Sequence, residues 1–306
     1  MFKVFIDGKE GTTGLRIFER FKLRDDIEVL EISEELRKNP EERVKKIKES
    51  DVTFLCLPDA ASKEIVQLSA GTSAVIIDAS TAFRCDDSWA YGLPELSPAY
   101  LEKLKKAKKI SVPGCHASGA IAVIAPLVLN DVVGKDYPFV ISSLTGYSGG
   151  GKKMIAEYEN PHDPELDAPR IYGLGQTHKH LPEITKHCQL TVSPIFMPIV
   201  APYYAGMLTS IGIIRPKLSL AETHALYLKH YAGQDFVRVA PLSETPTMLG
   251  SNTLAGKDDL KIYICGNDER ITIHAQFDNL GKGASGAAIQ CMNIALGLDP
   301  KKGLDF

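Results

Sequence analysis

The chain has 306 residues, 44% of them hydrophobic and 24% charged, and its 35 basic and 38 acidic side chains give a formal net charge of -3. This composition is typical of globular proteins and excludes disordered, collagen-like, coiled-coil and disulfide-scaffold classes. The near-neutral balance does not support a nucleic acid or an anionic membrane as a partner. The length favours about two domains.

Six cysteines are spread along the chain without a CxxC pair: Cys56, Cys85, Cys115, Cys188, Cys265 and Cys291. Scattered thiols suit a reducing compartment, and most are expected to be small buried hydrophobic residues. The N-terminus runs from Met1 straight into an apolar strand, without the pattern of a signal peptide. We therefore expect a cytoplasmic protein.

The uncharged stretch 188–214 is long enough to span a bilayer. It contains Pro194, Pro198 and Pro202 at regular intervals, which favour buried strands and turns over a membrane helix. No membrane association is predicted.

The first part of the chain alternates short apolar runs with amphipathic stretches. Apolar runs predict strands at 2–6, 27–32, 52–57, 74–78 and 109–112, and helical periodicity predicts helices at 15–21, 41–49, 62–69 and 101–105. This alternation is typical of βαβ units that form a parallel sheet.

After an apolar helix at 119–129, the predicted strands lengthen and the helices become fewer. Strands are predicted at 139–145, 191–200, 207–214, 236–239, 261–265 and 271–277, with one helix at 220–230. This pattern indicates an α+β domain with a largely antiparallel sheet. The final helix, 287–296, has nothing to pair with in sequence and is predicted to return to the first domain.

Gly8, Gly11 and Gly14 stand three residues apart between the first predicted strand and the first predicted helix. Glycines here allow a tight turn and let backbone N–H groups approach a pyrophosphate at the helix N-terminus. We therefore predict a Rossmann-type dinucleotide site that also includes Thr12, Thr13 and, after the third strand, Pro58.

The predicted fold is α/β: an N-terminal Rossmann-type parallel sheet plus an α+β catalytic and oligomerisation domain with a largely antiparallel sheet. The predicted boundaries are 1–114 with 282–306 for the cofactor domain, and 115–281 for the catalytic domain.

The segment after the second predicted strand carries residues of opposite cofactor preference. Glu31 would favour the free ribose 2′-hydroxyl of NAD, whereas Ser33, followed by Arg37 and Lys38, would accommodate the 2′-phosphate of NADP. Spacing alone leaves the choice open.

Two further glycine-rich segments imitate nucleotide motifs. Gly281, Gly283 and Gly286 form GxGxxG too close to the C-terminus for a second βα unit, so we expect this segment to pack the last helix closely, with the cofactor end of the first domain as one option. The segment 146–153, GYSGGGKK, has Lys153 where a P-loop needs Ser or Thr for magnesium, which argues against kinase or ATPase chemistry. Ser148 and Lys152 could still bind an anionic substrate.

Cys115 follows a Pro-Gly turn at the start of an apolar helix. A helix N-terminus lowers a thiol pKa and supplies backbone N–H donors for an oxyanion, so Cys115 is the predicted nucleophile. Cys56 and Cys265 lie in apolar runs and fit buried core positions instead.

The densest histidine cluster, His178 and His180, is expected to supply the proton-transfer partner. A zinc site built from these two with Cys115 and His116 is disfavoured because no pair has the short cysteine spacing of such sites. No metal is predicted.

Eight blocks occur in order along the chain: GKEGTTG, LCLPDAASKE, DASTAFR, YGLPEL, PGCHASG, GYSGGGK, HKHLPEI and NLGKGASG. In this order they resemble the shorter type of the N-acetyl-gamma-glutamyl-phosphate reductase family, in the superfamily of aspartate-semialdehyde dehydrogenase. The resemblance implies NADP(H)-dependent reduction of N-acetylglutamyl 5-phosphate to its semialdehyde, with release of phosphate, in arginine biosynthesis. It also implies a homotetramer or homodimer.

By this resemblance Cys115 matches the nucleophile that forms a thioester and His180 matches the acid/base, while His178 could exchange that role or bind substrate. Arg84 is the expected phosphate clamp, because a guanidinium matches phosphate bidentately; a surface ion pair with Asp86 or Asp87 is the alternative. Reductases of aminoadipyl or aspartyl phosphate and a non-catalytic dinucleotide sensor are the competing functions.

Overall fold

The protein is described by a computed structural model covering residues 1–161 and 163–306. It divides into two compact units: a first unit of Met1–Pro113 with Ala284–Leu304, and a second of Gly114–Gly283 with Asp305–Phe306. The predicted division placed the cofactor domain at 1–114 and 282–306.

The strands of the described residues are β1 (Phe2–Asp7), β2 (Ile27–Leu30), β3 (Val52–Leu55), β4 (Val75–Asp78), β5 (Ala90–Tyr91), β6 (Lys109–Ser111), β7 (Val140–Gly146), β8 (Arg170–Ile171), β9 (Ile195–Ala201), β10 (Met207–Ile214), β11 (Val237–Val239), β12 (Leu260–Asn267) and β13 (Arg270–Phe277).

The α-helices of the described residues are α1 (Thr12–Phe21), α2 (Pro40–Glu49), α3 (Asp59–Leu68), α4 (Pro98–Lys105), α5 (Cys115–Leu129), α6 (Gly151–Glu159), α7 (His180–His187), α8 (Leu220–His230) and α9 (Gly286–Ala295).

Local side-chain chemistry explains where two of the helices, α2 and α8, begin. Asn39 accepts hydrogen bonds from the backbone of Glu41 and Glu42 ahead of Pro40, which suits the first helical position. Ser219 and Glu222 form a reciprocal capping box at the start of α8. These caps satisfy N–H groups that have no partner within the helix.

The first unit contains a fully parallel six-stranded sheet in the order β2-β1-β3-β4-β6-β5. Side chains of α1, α4 and α9 pack on one face, in a core that includes Phe21, Leu104 and Ile289. On the other face α2 and α3 contribute Ile47 and Ile65. Burial on both faces explains why the strands are continuous apolar runs.

The second unit contains a seven-stranded sheet in the order β11-β12-β13-β10-β7-β9-β8. Among the strands that the structure describes, β7 with β9 and β11 with β12 pair in parallel, and the other neighbours pair antiparallel. The predicted fold class, a parallel sheet followed by a largely antiparallel one, is confirmed.

Helix α5 lies very close to this second sheet. A Cβ atom added to Gly119 would meet Thr209 Oγ1 at 2.6 Å and the Phe277 ring at 2.7 Å. Two tyrosines, one in the last turn of α8 and one just after it, also bond to the backbone of α5: the Tyr227 hydroxyl donates to the Val123 carbonyl and the Tyr231 hydroxyl to the Ala122 carbonyl. The start of α5, where the predicted nucleophile lies, is therefore held by a buried and closely packed helix.

Several sequence expectations differ from the structure. Two short strands, β5 and β8, were not predicted, because a strand of two residues carries no periodicity. Two helices, α6 and α7, were not predicted either, because they begin in polar segments that contain glycine or proline. The strand expected at 191–200 begins only at Ile195, after Pro194.

The expectation that most cysteines are buried was wrong. Cys188 and Cys291 are buried, but Cys56, Cys115 and Cys265 are half-buried and Cys85 is exposed. Cys56 directly follows β3, and Cys265 lies within β12, two residues before its end.

Among the described residues, none of the helices combines the length and apolar character needed to cross a membrane. The uncharged stretch 188–214 forms β9 and β10 instead.

Candidate active site

The predicted nucleophile, Cys115, is the first residue of the 15-residue helix α5 and is half-buried. The preceding Gly114 is the N-cap residue, with extended backbone angles of φ -72° and ψ 146°. The first N–H groups of a helix lack partners within the helix and carry its positive end. The sulfur therefore lies where backbone donors and the helix dipole favour an anion.

The second glycine motif packs against this cysteine. A Cβ atom on Gly283 would lie 3.0 Å from Cys115 Cβ and 3.4 Å from its Cα. The motif was expected to pack the last helix closely, with the cofactor end of the first domain as an option. Within the second unit its middle glycine also allows close approach to the nucleophile.

The two predicted histidines lie together at the start of α7. His180 is the first residue of the helix and is 4% exposed, and its ring centroid lies 4.7 Å from that of the half-buried His178. The His180 backbone N–H donates to His178 Nδ1 at 3.3 Å. Because Nδ1 accepts this bond, neutral His178 carries its proton on Nε2.

Burial, then the neighbouring Lys179, lowers the pKa of His178 below its ordinary value of 6.5, and Glu183 acts in the opposite direction. At pH 7 the ring of His178 is therefore neutral. A neutral ring with its proton on Nε2 is suited to donating a hydrogen bond at that atom.

A hydrogen-bonded chain runs through His116, the residue next to the nucleophile. His116 Nδ1 is 2.7 Å from Ser143 Oγ, which is itself 2.7 Å from Thr209 Oγ1, and His116 Nε2 is 2.7 Å from the Tyr172 hydroxyl. Burial, followed by His178, lowers the pKa of His116 to about 3, so this ring is neutral. Burial and the negative charge of Cys115 raise the pKa of Tyr172.

No sequence motif indicated a role for Ser143 or Tyr172, and His116 was predicted only as a disfavoured metal ligand. The position of His116 directly after Cys115 in the sequence could have indicated that His116 belongs to the site. Tyr172 lies 56 residues from His116 in sequence, and no spacing rule connects them. The described residues contain no group of three or more His, Cys, Asp or Glu placed to hold a metal ion.

The predicted cofactor loop forms a glycine-rich turn between β1 and α1. Gly8 has φ +86°, and a Cβ atom on it would lie 2.4 Å from the Cys56 carbonyl oxygen; one on Gly14 would lie 2.5 Å from the Gly8 carbonyl oxygen. Gly11 is the N-cap of α1 and its N–H donates to Gly8 O at 3.0 Å. The turn thus requires glycine on steric grounds.

Thr12 and Thr13 are the first two residues of α1. Thr12 Oγ1 is buried and has no hydrogen-bond partner among the described residues. A phosphate at this helix N-terminus would supply an acceptor for this hydroxyl and for the first backbone N–H groups. The residues present therefore fit the pyrophosphate of a dinucleotide.

The remaining predicted cofactor residues lie at the same edge of the parallel sheet or on the segment that follows it. Pro58 is the N-cap of α3, after β3. Ser33 is exposed beyond β2, and the exposed Glu31 pairs with Lys9 of the glycine loop, with Nζ 3.2 Å from Oε1. The carboxyl ends of parallel strands are where this class of sheet binds ligands.

The Gly8 turn gives a testable prediction. Gly8→Ala should weaken NADPH binding by at least about tenfold, because the methyl group would displace the Cys56 backbone and distort the phosphate turn. Gly71→Ala is the matched control, since Gly71 has φ +80° but no atom within 4 Å of the added methyl group. Both variants are measured by fluorescence titration with NADPH; equal affinities would contradict the assigned role of the turn.

The structure places the predicted substrate residues in different environments. Ser148 lies in the second unit, is 1% exposed, and its Oγ accepts a hydrogen bond from Asn279 Nδ2 at 3.0 Å. Lys152 lies on the exposed side of α6. Binding of an anionic substrate by Ser148 and Lys152 stays a prediction.

Arg84 belongs to the first unit and is 8% exposed. Its Nε donates to the Val112 carbonyl at 2.9 Å and its Nη2 to the Ala79 carbonyl at 3.1 Å. These two groups form an edge that a guanidinium uses for a bidentate oxyanion. A phosphate bound at that edge would have to displace both carbonyls, so the clamp role stays a prediction.

Two sequence models of the semialdehyde dehydrogenase family match the chain: the NAD-binding domain over residues 4–104 and the dimerisation domain over residues 115–279. The N-acetyl-gamma-glutamyl-phosphate reductases of Brucella ovis and Brucella canis are each 43% identical to it, over 96% of this chain and 99% of theirs. The chain belongs to the N-acetyl-gamma-glutamyl-phosphate reductase family. The predicted family is thereby confirmed, as are an oxidoreductase and a nicotinamide dinucleotide cofactor.

Solved structures of aspartate-semialdehyde dehydrogenases share the fold. Enzyme II of Vibrio cholerae matches with a TM-score of 0.73 and 18% identity, over 97% of this chain and 99% of that one. The enzyme of Candida albicans, solved with NADP, matches with a TM-score of 0.66 and 15% identity, over 96% of this chain and 98% of that one. At such identities the likeness concerns the fold alone.

Proposed function

We propose that this enzyme uses NADPH to reduce N-acetyl-L-glutamyl 5-phosphate to N-acetyl-L-glutamate 5-semialdehyde, with release of phosphate, as a step of arginine biosynthesis in the cytoplasm. The observation that carries the proposal is the position of Cys115 at the N-terminus of α5, in the same unit as the His178–His180 pair. The substrate is inferred from the name of the reductases that are 43% identical to the chain.

In the first step the Cys115 thiolate attacks the acyl carbon. A C–S bond forms, and the negative oxygen of the tetrahedral intermediate is stabilised by backbone N–H groups of the first turn of α5. The bond from carbon to the phosphate oxygen then breaks, and a thioester remains on the protein. His180 takes the thiol proton and returns it to the leaving phosphate.

In the second step NADPH, when bound, supplies the hydride that reduces the thioester. The resulting thiohemiacetal anion is held by the same backbone donors as the first intermediate. Its collapse breaks the C–S bond, releases the aldehyde and restores the Cys115 thiolate. One proton is taken from solvent per turnover, and His180 is the group that holds it.

We assign the neutral His178 to binding substrate through its Nε2 proton. This role follows from the acceptor role of its Nδ1 toward the His180 backbone, which leaves Nε2 as the donor. Arg84 and Ser148 complete the proposed substrate contacts, at the phosphate and at an anionic group respectively. The dimerisation domain in the second unit supports a homodimer, or a homotetramer built from two dimers.

Steady-state kinetics in the oxidative direction test the whole proposal. The enzyme is assayed with phosphate, NADP⁺ or NAD⁺, and one of three semialdehydes: N-acetylglutamate, aminoadipate or aspartate semialdehyde. We expect the highest kcat/KM with the N-acetylglutamate compound and NADP⁺. Equal or better turnover of a longer or shorter semialdehyde would assign the enzyme to one of the related acyl-phosphate reductases instead.

The ion pair between Lys9 and Glu31 gives a separate prediction on the cofactor. Glu31 carries negative charge on the segment after β2, where the 2′-phosphate of NADP is expected to bind, and Lys9 compensates it in part. Glu31→Gln should therefore raise the ratio of kcat/KM for NADPH over NADH by about threefold to tenfold. Glu28→Gln, on β2 itself, is the control. An unchanged ratio would show that the 2′-phosphate binds elsewhere.

A further inference from the structure

Glu183 is a buried carboxylate beside the proposed site with no role in the steps above. It lies on α7, three residues after His180, and is 1% exposed. A carboxylate is rarely buried to this extent unless its oxygens accept hydrogen bonds.

One of its bonds reaches the nucleophile helix. Glu183 Oε1 accepts the backbone N–H of Gly114 at 2.8 Å, and Gly114 is the N-cap residue immediately before Cys115. The bond joins residues 69 apart in sequence and is buried. It links the helix that begins with His180 directly to the helix that begins with Cys115.

The burial of this bond makes it a strong constraint on the Gly114 backbone. A carboxylate oxygen and an amide oxygen can both accept the N–H, so the bond requires an acceptor on a side chain of this length. A buried N–H without an acceptor is costly, so the loop at Gly114 is expected to follow Glu183 if the carboxylate moves.

We propose that Glu183 is a positioning residue: by binding the Gly114 amide it holds Cys115 in register with the histidine pair of α7. This inference rests on the proposed function for its kinetic readout. The property of Glu183 that matters is the length of its side chain, because this length brings an acceptor oxygen to within 2.8 Å of the Gly114 amide nitrogen.

Two substitutions separate reach from charge. Glu183→Gln keeps the length and an amide oxygen that can accept the bond, but removes the charge. Glu183→Asp keeps the charge but is one methylene shorter. We expect kcat of Glu183→Gln within about threefold of the wild type, and kcat of Glu183→Asp to fall between about tenfold and a hundredfold, with KM and NADPH affinity unchanged. Thr185→Ala, on the same helix, is the control.

Hydrogen exchange at the Gly114 amide supplies a readout that needs no substrate. Protection should remain in Glu183→Gln and fall at least about tenfold in Glu183→Asp. If the wild type failed to reduce the proposed acyl phosphate, exchange would still decide the positioning role by itself.

Other outcomes would overturn the inference. Equal kcat for Glu183→Asp and the wild type, with Gly114 still protected, would show that the bond does not hold Cys115 in place. A larger loss of kcat in Glu183→Gln than in Glu183→Asp would mean that the charge of Glu183 matters and the length of its side chain does not. A lower melting temperature of Glu183→Asp with unchanged kcat would mean that Glu183 serves stability alone.

Discussion

Cys115→Ser is expected to reduce turnover by at least about a thousandfold while NADPH binding persists. A serine hydroxyl at the start of α5 is not ionised at neutral pH, so it is a poor nucleophile, and without sulfur it cannot form the thioester on which both steps depend. The predicted cofactor residues all belong to the first unit, and the substitution leaves them unchanged. Turnover is measured with the N-acetylglutamate semialdehyde, and binding by NADPH fluorescence.

Cys265→Ser is the matched control for this experiment. Cys265 is also half-buried and lies in the second unit, on β12, where burial raises the pKa of its thiol. Its substitution should leave kcat within about twofold of the wild type. If Cys115→Ser retained a tenth of the activity, the chemistry would not pass through this sulfur, and the thioester mechanism would be wrong.

His180→Asn is expected to have the second largest effect, a loss of about a hundredfold to ten-thousandfold in kcat, the usual contribution of a general acid or base. Asparagine preserves the approximate shape and the polarity of the ring but cannot exchange a proton near pH 7. The two kcat values are measured with N-acetylglutamate semialdehyde, phosphate and NADP⁺, and equal values would contradict the acid/base role of His180.

His178→Asn is the companion variant, and it distinguishes the two histidines. Burial and Lys179 keep the pKa of His178 below 6.5, so this ring is neutral at pH 7 and its removal should raise KM more than it lowers kcat. If only His178→Asn abolished turnover, the acid/base role would belong to His178 and the assignment would be reversed.

The sheets were predictable to the extent that their patterns are local. In the first unit, strands buried on both faces by helices must be short continuous apolar runs, and β1, β3 and β4 appear in sequence as such runs. The ends of elements were less predictable. Strand β9 begins only after Pro194, and α7 begins in a polar segment, and neither boundary follows from the apolar pattern of the sequence.

The site was predictable where chemistry is carried by neighbours in sequence. Cys115 at a turn-to-helix junction and two histidines separated by a single residue could be recognised from the chain alone. The buried chain from Thr209 through Ser143 and His116 to Tyr172 could not, because β10, β7, α5 and the segment after β8 meet only when the second sheet forms.

The sequence by itself determined the class of the fold, the family and the residue types of the proposed chemistry, because hydrophobic periodicity and short motifs are encoded within about ten residues of one another. Only the tertiary structure decided what surrounds the nucleophile: Gly283 against its Cβ atom and Glu183 on the amide before it. Such contacts join segments far apart in the chain, and their distances follow from how helices and sheets pack.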